Sequence, residues 1–247
     1  MSELPADSSL KLAGKTVVIL GGGSGIGFAC AGAASRAGAS VAIAGRSLEK
    51  LEAARAGIGA DVRTFPVDAS DEKSVRDFFE GVGRLDHLIV TAAETKAANV
   101  SGMDAETLRP TLDARVWGGY FAARHAAPRM GEGASITFFS GLSARRPYPG
   151  SSVISASCGA IEALSRSLAL ELAPIRVNTI RSGIVETPLL DGFYGEDRDE
   201  FLRSLAERLP VGRIGSPDDI AGAVMFLMGN GFVSGSVLQI DGGGSLV

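Results

Sequence analysis

The chain is poor in the residues that build metal sites, disulfide frameworks and charged interfaces. It has two cysteines, Cys30 and Cys158, and two histidines, His87 and His125, in 247 residues. Such scarcity, without metal-type spacing, excludes a zinc-ribbon or disulfide-stapled scaffold, and no metal is expected. Blocks of like charge are short. The 24 basic and 28 acidic side chains leave a net charge of −4, so neither nucleic acid nor an anionic membrane is an expected partner. Apolar runs are also short, and Met1-Ser2-Glu3-Leu4-Pro5 lacks the basic and apolar regions of a secretory signal. A soluble, cytoplasmic protein is the expectation. What is present is 45% hydrophobic residues, enough for one large core.

Residues 1–13 read as a loose arm, and residues 14–247 as one domain. Thr16–Leu20 reads as a strand and Ile26–Ala37 as a helix. Ser40–Ala44, Val62–Val67, Leu85–Thr91, Ser135–Ser140, Arg176–Ile180 and Val237–Ile240 are further strands. Helices are expected at Leu48–Ala56 and near 71–81, 104–127, 152–172 and 217–228. Apolar strands without polar alternation, each followed by a helix, imply a parallel sheet covered on both faces. The expected class is α/β, a doubly wound Rossmann fold. Residues 187–210 interrupt the alternation with Leu189, Leu190, Phe193, Tyr194 and Phe201, and read as a lid over an apolar or aromatic substrate.

Leu20 is followed by Gly21-Gly22-Gly23-Ser24-Gly25-Ile26-Gly27, between the first strand and the first helix. Gly21 permits the tight turn, Gly25 lets backbone approach a pyrophosphate, and Gly27 lets helix and sheet pack closely. The second strand runs out through Gly45, Arg46 and Ser47. An NAD site usually places an acid here, on the ribose 2′-hydroxyl. Gly45 offers none, while Arg46 and Ser47 are donors suited to a 2′-phosphate, so NADPH is expected over NADH. The competing reading makes Arg46 a solvated loop charge.

The Gly-x-x-x-Gly-x-Gly spacing resembles that of the short-chain dehydrogenase/reductase family. Arg176-Val177-Asn178, Gly183-Ile184-Val185-Glu186-Thr187-Pro188, Gly212-Arg213-Ile214-Gly215 and Asp241-Gly242-Gly243-Gly244 resemble its later signatures. The resemblance spans about residues 12–244. It implies Asp68 and Ala92 beside the adenosine, and Ile184 and Thr187 beside the nicotinamide. It also implies a homodimer or homotetramer built through the helices at 104–127 and 152–172. Leu20 stands for the family's threonine, and Val90-Thr91-Ala92-Ala93 for its Asn-Asn-Ala-Gly, which is expected to remove turn-stabilising hydrogen bonds.

The family's catalytic residues are absent. Ile154 stands where it has tyrosine, Cys158 where it has lysine, Gly141 where it has serine and Arg115 where it has asparagine. The phenol and ammonium that move a proton beside the hydride are gone. Glu94, after the fourth strand, is the preferred replacement acid–base group. Tyr148 is a second candidate, with Arg145 and Arg146 near its phenol, or else an aromatic pocket wall. Ser140 and Ser143 flank the vacant serine position as possible donors to a substrate oxygen. Arg115 is an oxyanion donor or the partner of an acid such as Glu94. Cys158 is a weak acid or nucleophile, or an inert buried thiol. His87 is expected near the surface at a strand start, and His125 at a subunit contact.

Three functions are compatible with this pattern. One is an NADP(H)-dependent oxidoreductase acting on a small carbonyl, imine or alkene with an unusual proton source. The second is a non-redox cyclase, isomerase or dehydratase on the same scaffold. The third is a cofactor-binding pseudoenzyme without catalysis.

Overall fold

The computed structural model describes residues 11–102, 104–191 and 198–247. The strands are Thr16–Leu20 (β1), Ser40–Gly45 (β2), Arg63–Pro66 (β3), His87–Val90 (β4), Ser135–Gly141 (β5), Arg176–Ser182 (β6) and Val237–Ile240 (β7). They form one seven-stranded sheet in the order β3-β2-β1-β4-β5-β6-β7, and every pairing is parallel. The helices are Gly25–Arg36 (α1), Leu48–Ile58 (α2), Glu72–Val82 (α3), Ala105–Leu112 (α4), Gly118–Ala126 (α5), Ser152–Glu171 (α6), Arg198–Arg208 (α7) and Pro217–Gly229 (α8). This is the doubly wound α/β fold expected from the strand–helix alternation.

Alternation along β1 divides the interior in two. Val18 and Leu20 face a core with Phe78 and Phe79 of α3 and Ala122 and Ala126 of α5. Val17 and Ile19 face the other core, with Cys30 and Ala34 of α1 and Val224 and Leu227 of α8. Each fully buried large side chain contributes roughly 1.5–3 kcal/mol. The strand order reverses between β1 and β4, whose last residues, Leu20 and Val90, are register partners. A crevice opens at their carboxyl ends, where doubly wound sheets bind ligands.

The structure departs from the sequence reading in four places. Leu12, assigned to the arm, is 2% exposed and belongs to the second core, its N–H donating to Ala37 O at 2.8 Å. The helix expected over 104–127 is broken by a π-helical turn, Asp113–Trp117, just after Pro110. Proline has no N–H to give the preceding turn, and π-turns inside helices often mark functional positions. The expected lid contains a full helix, α7; Phe193 and Tyr194 lie outside the described residues. His87 is buried rather than near the surface.

The Arg176-Val177-Asn178 signature supplies two braces. Arg176 donates to the carbonyls of Leu227 and Met228 at the end of α8, at 2.7 and 2.9 Å. Asn178 bonds Val233 O and Ser236 N, tying β6 to the segment before β7. Helix α6 has the length and composition of a membrane span, with a mean hydropathy of 1.3. Its Ile154, Cys158, Ile161 and Leu168 are nonetheless buried within the fold. Leu112 and Trp117, on the face where the resemblance implied subunit contact, are exposed, and Trp117 stacks with Phe121.

His87 gives the fold a pH dependence. Burial pushes its imidazole down from 6.5 to about 4, and Nδ1 lies 2.8 Å from Ser135 Oγ. Between those two values the unfolded chain holds a proton that the folded chain refuses. Stability therefore rises with pH across that window and is lost as pH falls through it. The loss expected from this residue is roughly 3 kcal/mol. Urea titrations of the wild type and His87→Gln from pH 7 to pH 4 check it. A wild-type slope that persists unchanged in the variant would assign the effect to other groups.

Candidate active site

The glycine turn is shaped by close approach. Gly21 and Gly25 have φ of 102° and 53°, in the left-handed region open mainly to glycine. A Cβ on Gly21 would collide with Thr91 Oγ1, and one on Gly27 with the carbonyl oxygen of Gly21. Helix α1 starts here at Ser24 with no side-chain cap and no acid in its first turn. By contrast α2, α3, α4 and α8 are capped by Ser47, Asp71, Asp104 and Ser216. An uncapped helix start opening into a cleft suits a pyrophosphate.

Thr91 corrects one expectation. Its hydroxyl donates to Gly21 O at 3.0 Å and lies 3.3 Å from Leu20 O. The bridge between the glycine turn and the end of β4 is therefore kept, supplied from the opposite strand, while Leu20 is wholly buried.

The cleft has a volume of about 1280 Å³. One end is lined by Gly23, Ile26, Arg46, Ser47, Asp68 and Ala92. Ser47 Oγ accepts the Lys50 N–H at 3.3 Å. Burial pushes the Asp68 carboxyl up, but bonds from Ser70 and the charge of Arg46 outweigh it and hold it below the usual range. Ile184 and Thr187 line the same cleft, and a Cβ on Gly25 would touch Thr187 Cγ2 at 3.1 Å. These groups fit a dinucleotide carrying a pyrophosphate and a 2′-phosphate.

The vacated catalytic positions lie in the same cleft. Ile154 and Cys158 are four residues apart on one face of α6, 5% and 0% exposed. Arg115, on the π-turn between α4 and α5, reaches Cys158. Its Nη1 lies 3.0 Å from Cys158 Sγ and donates to Ser157 Oγ at 2.8 Å. The Gly141 N–H also meets Cys158 Sγ, at 3.2 Å, and Ser143 Oγ is 3.8 Å from it. Two of the altered positions, Arg115 and Gly141, thus both meet a third, Cys158. They form one unit, in which a guanidinium supplies the positive charge that the cysteine position lacks. Arg115 Nε is buried without a hydrogen-bond partner.

The other candidates separate. Glu94 pairs with Arg46 at 3.1 Å and Lys96 at 3.8 Å, so it sits against the Arg46 end of the cleft, not on Arg115. Ser140 is withdrawn from substrate: its hydroxyl donates to buried Glu162 at 2.7 Å, and a hydroxyl has one proton to give. Burial pushes the Glu162 carboxyl up, but paired bonds from Arg181 at 2.8 and 2.6 Å, with Ser140, hold it below its ordinary value. Tyr148 lines the cleft and is 49% exposed. Arg146 is bound to Gly244 O at 2.8 Å, anchoring the segment after β7. His125 meets Glu72 at 3.1 Å, away from the cleft lining.

Fold and cleft together define a nicotinamide-dinucleotide type of α/β domain. A family profile described as Enoyl-(Acyl carrier protein) reductase matches residues 21–245. An NADP-dependent (R)-specific alcohol dehydrogenase of Lentilactobacillus kefiri is 32% identical, over 94% of this chain and 97% of its own length. The structure of a reductase/Diels-Alderase from Malbranchea aurantiaca superposes with a TM-score of 0.90 at 30% identity, covering 98% of this chain and 100% of that one. A small-chain dehydrogenase solved in complex with NADPH gives 0.80 at 35% identity, with 94% and 99% covered. The chain belongs to the short-chain dehydrogenase/reductase family, a family of oxidoreductases.

Proposed function

We propose that this chain is an NADP(H)-dependent oxidoreductase that reduces a small apolar or aromatic substrate without a tyrosine proton donor. The observation that carries the reading is Arg115 Nη1 beside Cys158 Sγ, in a cleft that also holds the glycine turn. Kinship with an alcohol dehydrogenase named as NADP-dependent and with a chain solved with NADPH supports the coenzyme. When bound, the coenzyme supplies a hydride.

The chain's own groups then do three things. Gly21–Gly27 and α1 bind phosphate, and Arg46 and Ser47 meet the 2′-phosphate. Leu190, Phe201 and Leu209, from the segment over the cleft, give the substrate an apolar wall. Arg115 stabilises negative charge on the substrate atom next to the carbon that accepts hydride; it is permanently charged and gives up no proton. An activated alkene fits best, because hydride addition leaves a delocalised anion that Arg115 can face and that needs no strong acid, whereas an iminium would set a cation against the guanidinium. A carbonyl or activated alkene would take its proton from water at the cleft mouth or from Tyr148.

A second reading keeps the cleft and drops the hydride. Ile154 in place of an acid, and likeness to the Malbranchea aurantiaca reductase/Diels-Alderase, favour a ring-forming reaction in the same cavity. Purified protein incubated with NADPH and a panel of imines, enones and ketones separates the two. Loss of nicotinamide absorbance in step with product is expected. Product formation at constant absorbance would replace the redox reading with the cyclisation one.

A further inference from the structure

We propose that Glu94 sets coenzyme specificity, as a built-in anion that competes with the 2′-phosphate for Arg46. The inference rests on the NADP(H) reading and adds a residue to it. The end of β2 carries Gly45, so the acid that an NAD site keeps there is missing. The chain holds its carboxylate on the opposite wall instead. Glu94 follows β4, and its Oε2 reaches across to Arg46 Nη1 at 3.1 Å. Both residues line the cleft, and the bridge joins the turn after β2 to the segment after β4.

Two consequences follow from the geometry. A 2′-phosphate takes the Nη1 arm of the Arg46 fork only by displacing Glu94 from it. A phosphate so held then lies close to the displaced carboxylate, and like charges repel. Lys96 Nζ, 3.8 Å from Glu94 Oε1, offers the carboxylate another cation, so the exchange leaves it partnered. The 2′-hydroxyl of NADH carries no charge and does not enter the competition. Arg46 is 67% exposed and Glu94 28%, which makes the bridge weak enough to be exchanged.

The test is a binding titration of NADPH and NADH with wild type, Glu94→Gln, Arg46→Gln and the double variant. Glu94→Gln is expected to bind NADPH about five- to tenfold tighter, since it loses both an exposed ion pair and the repulsion. Its NADH affinity should stay within about twofold. In the Arg46→Gln background the gain should vanish. Unchanged or weaker NADPH binding by Glu94→Gln, an equal change for both coenzymes, or a gain that survives without Arg46 would each overturn the proposal. Wild type that binds NADPH, with no gain in Glu94→Gln, defeats this inference alone. Wild type that binds neither coenzyme defeats the NADP(H) reading and this inference with it.

Discussion

Arg115→Met is expected to lower turnover about 10²–10³-fold while leaving NADPH bound and the fold intact. Removing one preorganised donor to a developing anion typically has that effect. Arg115 is suited to such a role because its Nη1 is fixed by Ser157 Oγ and Cys158 Sγ, so little reorganisation accompanies charge development. Methionine keeps much of the stem's bulk and removes the charge. Its stability cost should be small, because the guanidinium is only part-buried and its Nε already lacks a partner. Arg115→Lys should recover part of the rate, since charge returns without the fork. Measured kcat and KM separate the cases: a loss confined to KM would make Arg115 a binding group, and an unchanged kcat would remove it from the mechanism.

Restoring the family's residues should have the opposite effect. The quadruple variant Arg115→Asn, Gly141→Ser, Ile154→Tyr, Cys158→Lys is expected to gain ketone reduction by about 10²–10⁴-fold, the usual worth of a positioned acid–base group. The space exists. A Cβ at Gly141 would meet Cys158 Sγ at 3.5 Å, an ordinary contact, and Ile154 borders the open cleft. The changes must be made together. Cys158→Lys alone would bring an ammonium against the Arg115 guanidinium, which lies 3.0 Å from the present sulfur. Ketone-dependent oxidation of NADPH measures the gain. A quadruple variant that folds, binds NADPH and shows no gain would mean that the scaffold has lost more than these four side chains.

Much of this architecture was legible in the sequence. The apolar β-branched run Thr16–Leu20 is a strand as read, because burial on both faces leaves no polar alternation to confuse the period. The glycine turn was legible because its spacing encodes close backbone approach, at Gly21 and Gly27 above all. Less visible were features set by contacts across the chain. Thr91 takes over a hydrogen-bonding task because it faces Gly21 from another strand. Ser140 reads like a candidate donor until Glu162, twenty-two residues later on α6, claims its proton. The π-turn after Pro110 had a local warning in the proline. The meeting of Arg115, Gly141 and Cys158 had none, since three separate elements bring them together.

The central claim is that a working coenzyme cradle persists beside a catalytic site whose charge Arg115 now supplies. Calorimetric titration of NADPH into the purified wild type tests it most directly, with Gly27→Val as the control whose side chain would block the turn. The expected result is saturable binding of one coenzyme per chain, lost in Gly27→Val. No heat of binding from NADPH or NADH to a folded wild type, or equal binding by the blocked variant, would contradict the claim.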